Sequence, residues 1–226
     1  MTPPGSATTS TDGPPPDPFA ARRARMVERQ LRRRGIGDER VLAAMAEVPR
    51  ERFVPEKQRG RAYRDRALRI AGGQTISQPW IVACMAALLE LRGDERVLEV
   101  GTGSGYAAAV LSRLCRQVVT IERLPALAEA AQGTLAALGY RNVEVRVGDG
   151  RLGAPDGAPF DGISVTATAS HAPPEPLVEQ LRPGASLVYP VRRGGHELLM
   201  RLRDGREQPV VPVRFVPLLE GTGDAD

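Results

Sequence analysis

From Val97 onward, short apolar runs alternate with stretches of helical periodicity, and this alternation restricts the chain to few folds. VLEV (97–100), VVTI (118–121), VEVRV (143–147), ISVT (163–166) and SLVYPV (186–191) are too short for helices. They are apolar on successive or alternate residues, as strands in a covered sheet are. Between them Tyr106 to Leu114, Pro125 to Leu138 and Pro176 to Leu181 read as helices. Strands separated by helices need crossover connections, so the expected fold is a doubly wound α/β domain with a mostly parallel sheet. HELLMRLR (196–203) and a run ending in VRFVPL meet at Asp204-Gly205, a hairpin signal that predicts antiparallel strands at the C-terminus.

Three helices are expected ahead of the sheet. Phe19 to Leu31 is weakly amphipathic and is followed by Gly35 and Gly37; Asp38 then stands as an N-cap before Val41, Leu42, Met45 and Val48 at helical spacing, with Pro49 as the stop. Ile81, Val82, Met85, Leu88 and Leu89 predict a third helix running to about Leu91, with Pro79 in its first turn and its N-terminus near Ser77. At 226 residues and 42% hydrophobic content, one domain is expected over 19–220, with helices and an acceptor-side segment at 19–92 and the core at 93–220. Residues 1–18, rich in Pro, Gly, Ser and Thr, are expected to be a disordered tail, and 221–226 a flexible end.

Composition narrows the setting. The first residues lack the basic start and apolar stretch of a secretory signal, and no apolar run reaches the ~20 residues of a membrane span, so a cytoplasmic protein without a membrane partner is expected. Cys84 and Cys115 sit in helix-like apolar runs and read as reduced core thiols. The net charge of +4 raises the question of nucleic acid. The excess lies mainly in Arg22, Arg23, Arg25, Arg29, Arg32, Arg33 and Arg34, with Lys57 the one lysine, and reads as a solvated face on a monomer rather than a nucleic-acid site.

VLEVGTGSGY sets a buried strand directly before glycines 101, 103 and 105 and then a helix, a turn that lets backbone approach a ligand. The dinucleotide fingerprint is G-x-G-x-x-G; here the third glycine comes one residue early and Tyr106 stands in its place, so no pyrophosphate is indicated. Glu122 closes the second strand, where a carboxylate can accept both ribose hydroxyls; alone it also reads as a surface charge at a strand end. Asp149, between two glycines after the third strand, reads either as a ligand contact at the sheet's carboxyl edge or as a turn residue.

Together these features resemble the class I S-adenosylmethionine-dependent methyltransferases, whose sheet is Rossmann-like. The resemblance implies a donor site of Glu99, Gly101, Thr102, Gly103, Ser104, Gly105, Glu122, Arg123, Asp149 and Gly150, and no metal. The segment GGQTISQPWIVA (72–83) is not needed for a cofactor fold and is expected to serve the acceptor. With QTISQP, VLEVGTGSGY, GDG followed by APFD, and a terminal FVPL, the chain from about Met26 to Leu218 closely resembles the protein-L-isoaspartate O-methyltransferase family. The resemblance implies methylation of the α-carboxylate of L-isoaspartyl residues in damaged proteins or peptides, the ester then closing to a succinimide. It also makes Ser77 the active residue and Gln74, Thr75, Ile76, Ser77 and Val82 the acceptor contacts.

That chemistry asks little of a base. A carboxylate with a pKa near ~4 is already ionised at neutral pH, so alignment and exclusion of water are what the protein must supply. His171 and His196 belong to no recognisable triad, and His171 reads as either a substrate contact or an exposed loop residue. Ser77 by position alone is a helix cap; Trp80 lines a groove or packs in the core. The chain departs from the family at Arg69-Ile70-Ala71-Gly72-Gly73, at Ala154 after Gly153, and at Arg192 after Pro190 and Val191. These changes fall on the acceptor side and keep open another acceptor, such as a peptide natural product or RNA.

Overall fold

The computed structural model describes residues 17–223. Of the expected tail, all but Asp17 and Pro18 lies outside the described residues. Helix α1 (Ala20–Met26) continues through a π turn at Val27–Leu31 and a 3-10 turn at Arg32–Arg34, and Gly35 stops it at φ 91°. Helix α2 (Glu39–Glu47) starts where expected, with Asp38 Oδ1 accepting from the amides of Arg40 at 2.9 Å and Val41 at 3.2 Å.

The next segment holds what periodicity could not show. Two 3-10 turns, Arg50–Phe53 and Glu56–Arg61, lead to an antiparallel ribbon of β1 (Leu68–Arg69) and β2 (Thr75–Ile76), and two residues per strand carry no readable period. Helix α3 spans Pro79–Leu88, ending three residues earlier than expected because Glu90 turns into the left-handed region at φ 55°. Its N-cap position is Gln78, which leaves Ser77 outside the helix.

The core then follows as β3 (Arg96–Val100), α4 (Tyr106–Leu111), β4 (Gln117–Glu122), α5 (Pro125–Ala137), β5 (Val143–Val147), β6 (Phe160–Val165), α6 (Glu175–Glu179), β7 (Leu181–Arg193), β8 (His196–Arg203) and β9 (Arg206–Pro212). These strands form one seven-stranded sheet in the order β5-β4-β3-β6-β7-β8-β9. The first five are parallel and the last two antiparallel. The mostly parallel, Rossmann-like sheet with its C-terminal hairpin is thus the expected fold. Asp204 and Gly205 both have positive φ, 49° and 72°, as a two-residue hairpin turn demands.

Strand alternation sorts the core into two layers. Val97 and Val118 face α1 to α4, among Met26, Met45 and Met85; Leu98 and Val119 face the opposite side, with Phe160, Leu177 and Tyr189. Each fully buried Leu or Val contributes about 1.5–3 kcal/mol, so covering both faces fixes the strand register. The chain winds outward from β3 through β4 to β5, then returns to β6 on the other side of β3. This reversal opens a crevice beyond the carboxyl ends of β3 and β6, where open α/β sheets bind ligands.

The C-terminus corrects two expectations. VRFVPL is not part of β9, which stops at Pro212. The segment instead folds back over the carboxyl edge, where Thr168 donates its amide to Val216 O at 2.7 Å and accepts from Leu218 N at 2.9 Å. Residues 221–223, expected to be loose, are tied down as well. Gly221 N donates to Asp149 Oδ2 at 2.8 Å and Gly223 N to Arg123 O at 3.1 Å. Among the described residues no helix is long and apolar enough to cross a membrane.

Candidate active site

A cavity of about 330 Å³ opens at the crevice between β3 and β6. It draws its walls from four separate parts of the chain. The glycine turn supplies Gly101, Thr102, Gly103 and Ser104, and the strand ends supply Glu122, Arg123 and Gly150. The segment before the sheet supplies Gln74, Thr75, Ile76, Ser77 and Val82, and the C-terminal strap closes the space with Phe215 to Leu219. Donor-side and acceptor-side residues therefore meet in one chamber.

The turn is tightly determined. Gly101 sits at φ +95°, and a Cβ there would overlap Thr166 Oγ1, which donates to Gly101 O at 2.7 Å. A Cβ on Gly150 would overlap Val100 Cγ1. The amides of Gly101 and Thr102 both donate to Ile121 O, Gly105 N donates to Thr102 O at 2.8 Å, and Gly103 N donates to Glu122 Oε2 at 2.9 Å. Most of the turn's N–H groups are thus used internally. A pyrophosphate would need those amides free; a ligand carrying a sulfonium and ribose hydroxyls does not. Glu122 is 6% exposed, and its other oxygen accepts from Leu124 N at 3.1 Å. A carboxylate has about four acceptor sites, so both oxygens retain capacity toward the cavity they line.

Three residues expected to touch the donor do not line the cavity. Gly105 lies behind the turn as the first residue of α4's cap, against Leu135 and Ala131. Asp149 caps the turn at Gly150–Leu152 through Arg151 N and holds the strap through Gly221 N, so its carboxylate positions main chain. Glu99 shares the face of β3 with Val97 and lies under the cavity floor, fully buried. Thr120 donates to Glu99 Oε2 at 2.6 Å, and the Thr120 and Thr102 hydroxyls are 2.7 Å apart, so Glu99 reaches the cavity only through Thr102.

Burial pushes the Glu99 carboxyl up to about 8, reinforced by repulsion from Glu122 and opposed by the Thr120 hydroxyl. Its other oxygen has no hydrogen-bond partner among the described residues. The unfolded chain ionises near 4.5 and the folded one near 8, so this group favours the folded state below 4.5 and loses that contribution as pH rises to 8. Between pH 5 and 8 the unfolding free energy of Glu99→Gln is expected to fall by roughly 3–4 kcal/mol less than that of the parent, measured by urea titration at both pH values. Equal losses in the two proteins would show Glu99 ionised throughout.

Ser77 is not a cap. It lines the cavity, and its carbonyl accepts from Arg50 Nη2 at 2.7 Å. Arg50 is completely buried and among the described residues pairs with no carboxylate; it also donates from Nε to Ala62 O at 2.8 Å and lies 4.7 Å from the centroid of the Tyr106 ring. A single buried cation thus clamps two segments and fixes the main chain at Ser77. Trp80 does not line the cavity; its Nε1 donates to Arg34 O at 3.2 Å and its ring carries the Arg34 guanidinium at 5.2 Å. His171 is exposed and also lies outside the cavity. Cys84 and Cys115 are free and buried, and burial raises their thiols to about 11 and about 12.

Sequence reasoning missed Thr166 and Ala167, which line the cavity just beyond β6. The strand reversal beside β3 is the signal that would have found them. Phe215 to Leu219 were noticed as a motif, and only the fold-back shows that they form a wall.

Comparison with known proteins agrees with this arrangement. The family model for protein-L-isoaspartate(D-aspartate) O-methyltransferase matches residues 21–223. The protein-L-isoaspartate O-methyltransferase of Methylorubrum extorquens is 53% identical over 228 residues, covering 99% of each chain. That of a Synechococcus species is 52% identical over 214 residues, covering 90% of this chain and 87% of the relative. A solved protein-L-isoaspartate O-methyltransferase superposes with a TM-score of 0.77 at 29% identity, over 86% of this chain and 65% of that longer one. The match runs through the donor turn, the acceptor segment and the strap alike. The chain therefore belongs to the protein-L-isoaspartate(D-aspartate) O-methyltransferase family, enzymes that use S-adenosylmethionine to methylate isoaspartyl residues of damaged proteins.

Proposed function

We propose that Glu122 receives the ribose hydroxyls of S-adenosylmethionine, that Ile121 and Leu218 flank its base, and that the turn Thr102–Ser104 takes its amino-acid end. The fit rests on a Glu122 carboxylate that keeps acceptor capacity toward the cavity, and on the walls at Gly101 and Gly150, where a Cβ would displace Thr166 or Val100. When bound, S-adenosylmethionine supplies an electrophilic methyl carbon: a carboxylate oxygen forms the new C–O bond as the C–S bond breaks, and no proton need move. Ser77 and Thr75 orient the isoaspartyl carboxylate by donating hydroxyl hydrogens. Ile76, Val82 and Phe215 exclude water from it, and Arg50 holds Ser77 in place through its carbonyl. Asp149 and Arg123 keep the strap closed over the donor.

The observation that carries this reading is the shared chamber: Ser77, from a segment before the sheet, lines the same space as Gly101 to Ser104 and Glu122. The acceptor is polypeptide rather than nucleic acid, a reading supported by the family model's span, which includes residues 74–82. The separate, buried, unpaired thiols suit the reducing cytoplasm. Incubation with labelled donor and a matched pair of peptides, one isoaspartyl and one aspartyl, is expected to label the isoaspartyl peptide alone. Equal labelling of both, or of neither, would overturn the assignment of the acceptor.

A further inference from the structure

We propose that the surface beside the acceptor mouth docks acidic polypeptide, so that the protein selects isoaspartyl sites flanked by aspartate and glutamate. The proposal rests on the acceptor reading above. Lys57, Arg61, Arg64, Arg66 and Arg69 are exposed, and among the described residues none pairs with a carboxylate. The nearby acids are already engaged: Glu56 by Arg59, and Asp65 by Arg34.

The same holds next door, where Arg22, Arg25 and Arg29 are exposed and form no ion pair among the described residues, and Arg22 Nη1 donates to Gly60 O at 3.2 Å. Two shallow depressions result. In one the charged groups are Lys57, Arg61, Arg66 and Arg69; in the other they are Arg22, Arg25, Arg29 and Arg64. Other arginines of the same helix and turns, such as Arg23, Arg32 and Arg33, do find carboxylates. Exposed cations without an ion pair among the described residues occur elsewhere too, Arg92, Arg141 and Arg206 among them, but here eight of them share one face.

Its position ties it to the acceptor. Arg69 and Thr75 are directly opposed across the β1–β2 ribbon, and Thr75 lines the cavity. Opposed residues project on the same face with Cβ atoms about 4.5–5.5 Å apart. A polypeptide whose isoaspartyl residue enters beside Thr75 and Ser77 must leave past Arg69. Uncompensated like charge destabilises a folded surface through self-repulsion, and carboxylates on the substrate would supply the missing partners. At physiological salt the field reaches about 8 Å, enough to cover the residues flanking the modified one.

Three isoaspartyl peptides of one length, with Glu, Gln or Lys at the flanking positions, test this. At about 0.01 M ionic strength the Glu peptide is expected to exceed the Gln peptide roughly ten-fold in kcat/KM, through KM, with the Lys peptide below both. Near 1 M, where the screening length is about 3 Å, the differences should vanish. The triple variant Arg61→Gln, Arg66→Gln, Arg69→Gln should bring the Glu-to-Gln ratio close to one. Arg92→Gln, Arg141→Gln, Arg206→Gln makes the same charge change at the opposite edge of the sheet and should leave the ratio intact. Equal kcat/KM for the three peptides at low salt, or a ratio that survives the first triple variant, would overturn the docking face while leaving the acceptor reading in place. Failure to methylate any of them would overturn both. Salt-sensitive binding of single-stranded RNA, lost in the first triple variant while the peptides stay undiscriminated, would reassign the face to nucleic acid.

Discussion

Gly101→Ala is expected to weaken S-adenosylmethionine binding by about 100-fold, measured by titration calorimetry, while the sheet still folds. At φ +95° an alanine is strained by about 1–3 kcal/mol. Its Cβ would also overlap Thr166 Oγ1, whose hydroxyl bridges Gly101 O at 2.7 Å and Val100 O at 3.1 Å. Moving Thr166 aside loses bonds worth about 0.5–1.5 kcal/mol each. Relaxing the turn instead displaces Thr102 and Gly103, and with them the Gly103 N–H that orients Glu122. Either way roughly 3 kcal/mol must be restored before the donor site forms, and each 1.4 kcal/mol is about tenfold in affinity. Thr166→Ala removes the overlap but not the strain, so in the double variant the two losses should be less than additive. A Gly101→Ala affinity within about threefold of the parent would mean that the turn does not shape the donor site.

How much of this was legible beforehand depended on the range of the interaction involved. The five parallel strands and the hairpin were readable because their burial is written in the local pattern, as at Val97 and Leu98, which alternate between two covered layers. The same parity placed Glu99 with Val97, beneath the cavity floor, although the motif suggested a donor contact. The β1–β2 ribbon was not readable at two residues per strand. Asp149 was expected to contact the donor, yet its carboxylate's partner is Gly221, 72 positions away, and no local signal specifies such a bond. The strap was expected to end a C-terminal strand, because VRFVPL alternates locally; what folds it back over the edge is main-chain bonding to Thr168, with Gly221 and Gly223 held by Asp149 and Arg123. The early third glycine did exclude a dinucleotide, and the structure adds a reason: the amides that would hold a pyrophosphate are spent on Ile121, Glu122 and Thr102.

Ser77→Ala is expected to lower kcat by about 10- to 100-fold with little change in donor affinity or thermal stability. Had Ser77 been the N-cap of α3, the same substitution would have cost about 0.5–2 kcal/mol of stability. The cap position is Gln78, so the stability and activity consequences separate. The contribution of Ser77 to the fold is its carbonyl, held by Arg50, and alanine retains that. Only the hydroxyl is lost. A hydrogen bond to a carboxylate is worth about 1.5–3 kcal/mol, which converts to the stated range if the bond is strongest as the carboxylate aligns for attack. Because the acceptor is already ionised, the pH profile of kcat should keep its shape, whereas loss of a general base would remove an ionisation from it. Unchanged turnover would take Ser77 out of the mechanism and leave Thr75 as the side-chain hydroxyl donor from the acceptor segment. A stability loss without a turnover loss would return it to a structural role. The expected pattern, a fall in kcat alone, follows from an enzyme whose task at this residue is to aim an anion and not to take a proton from it.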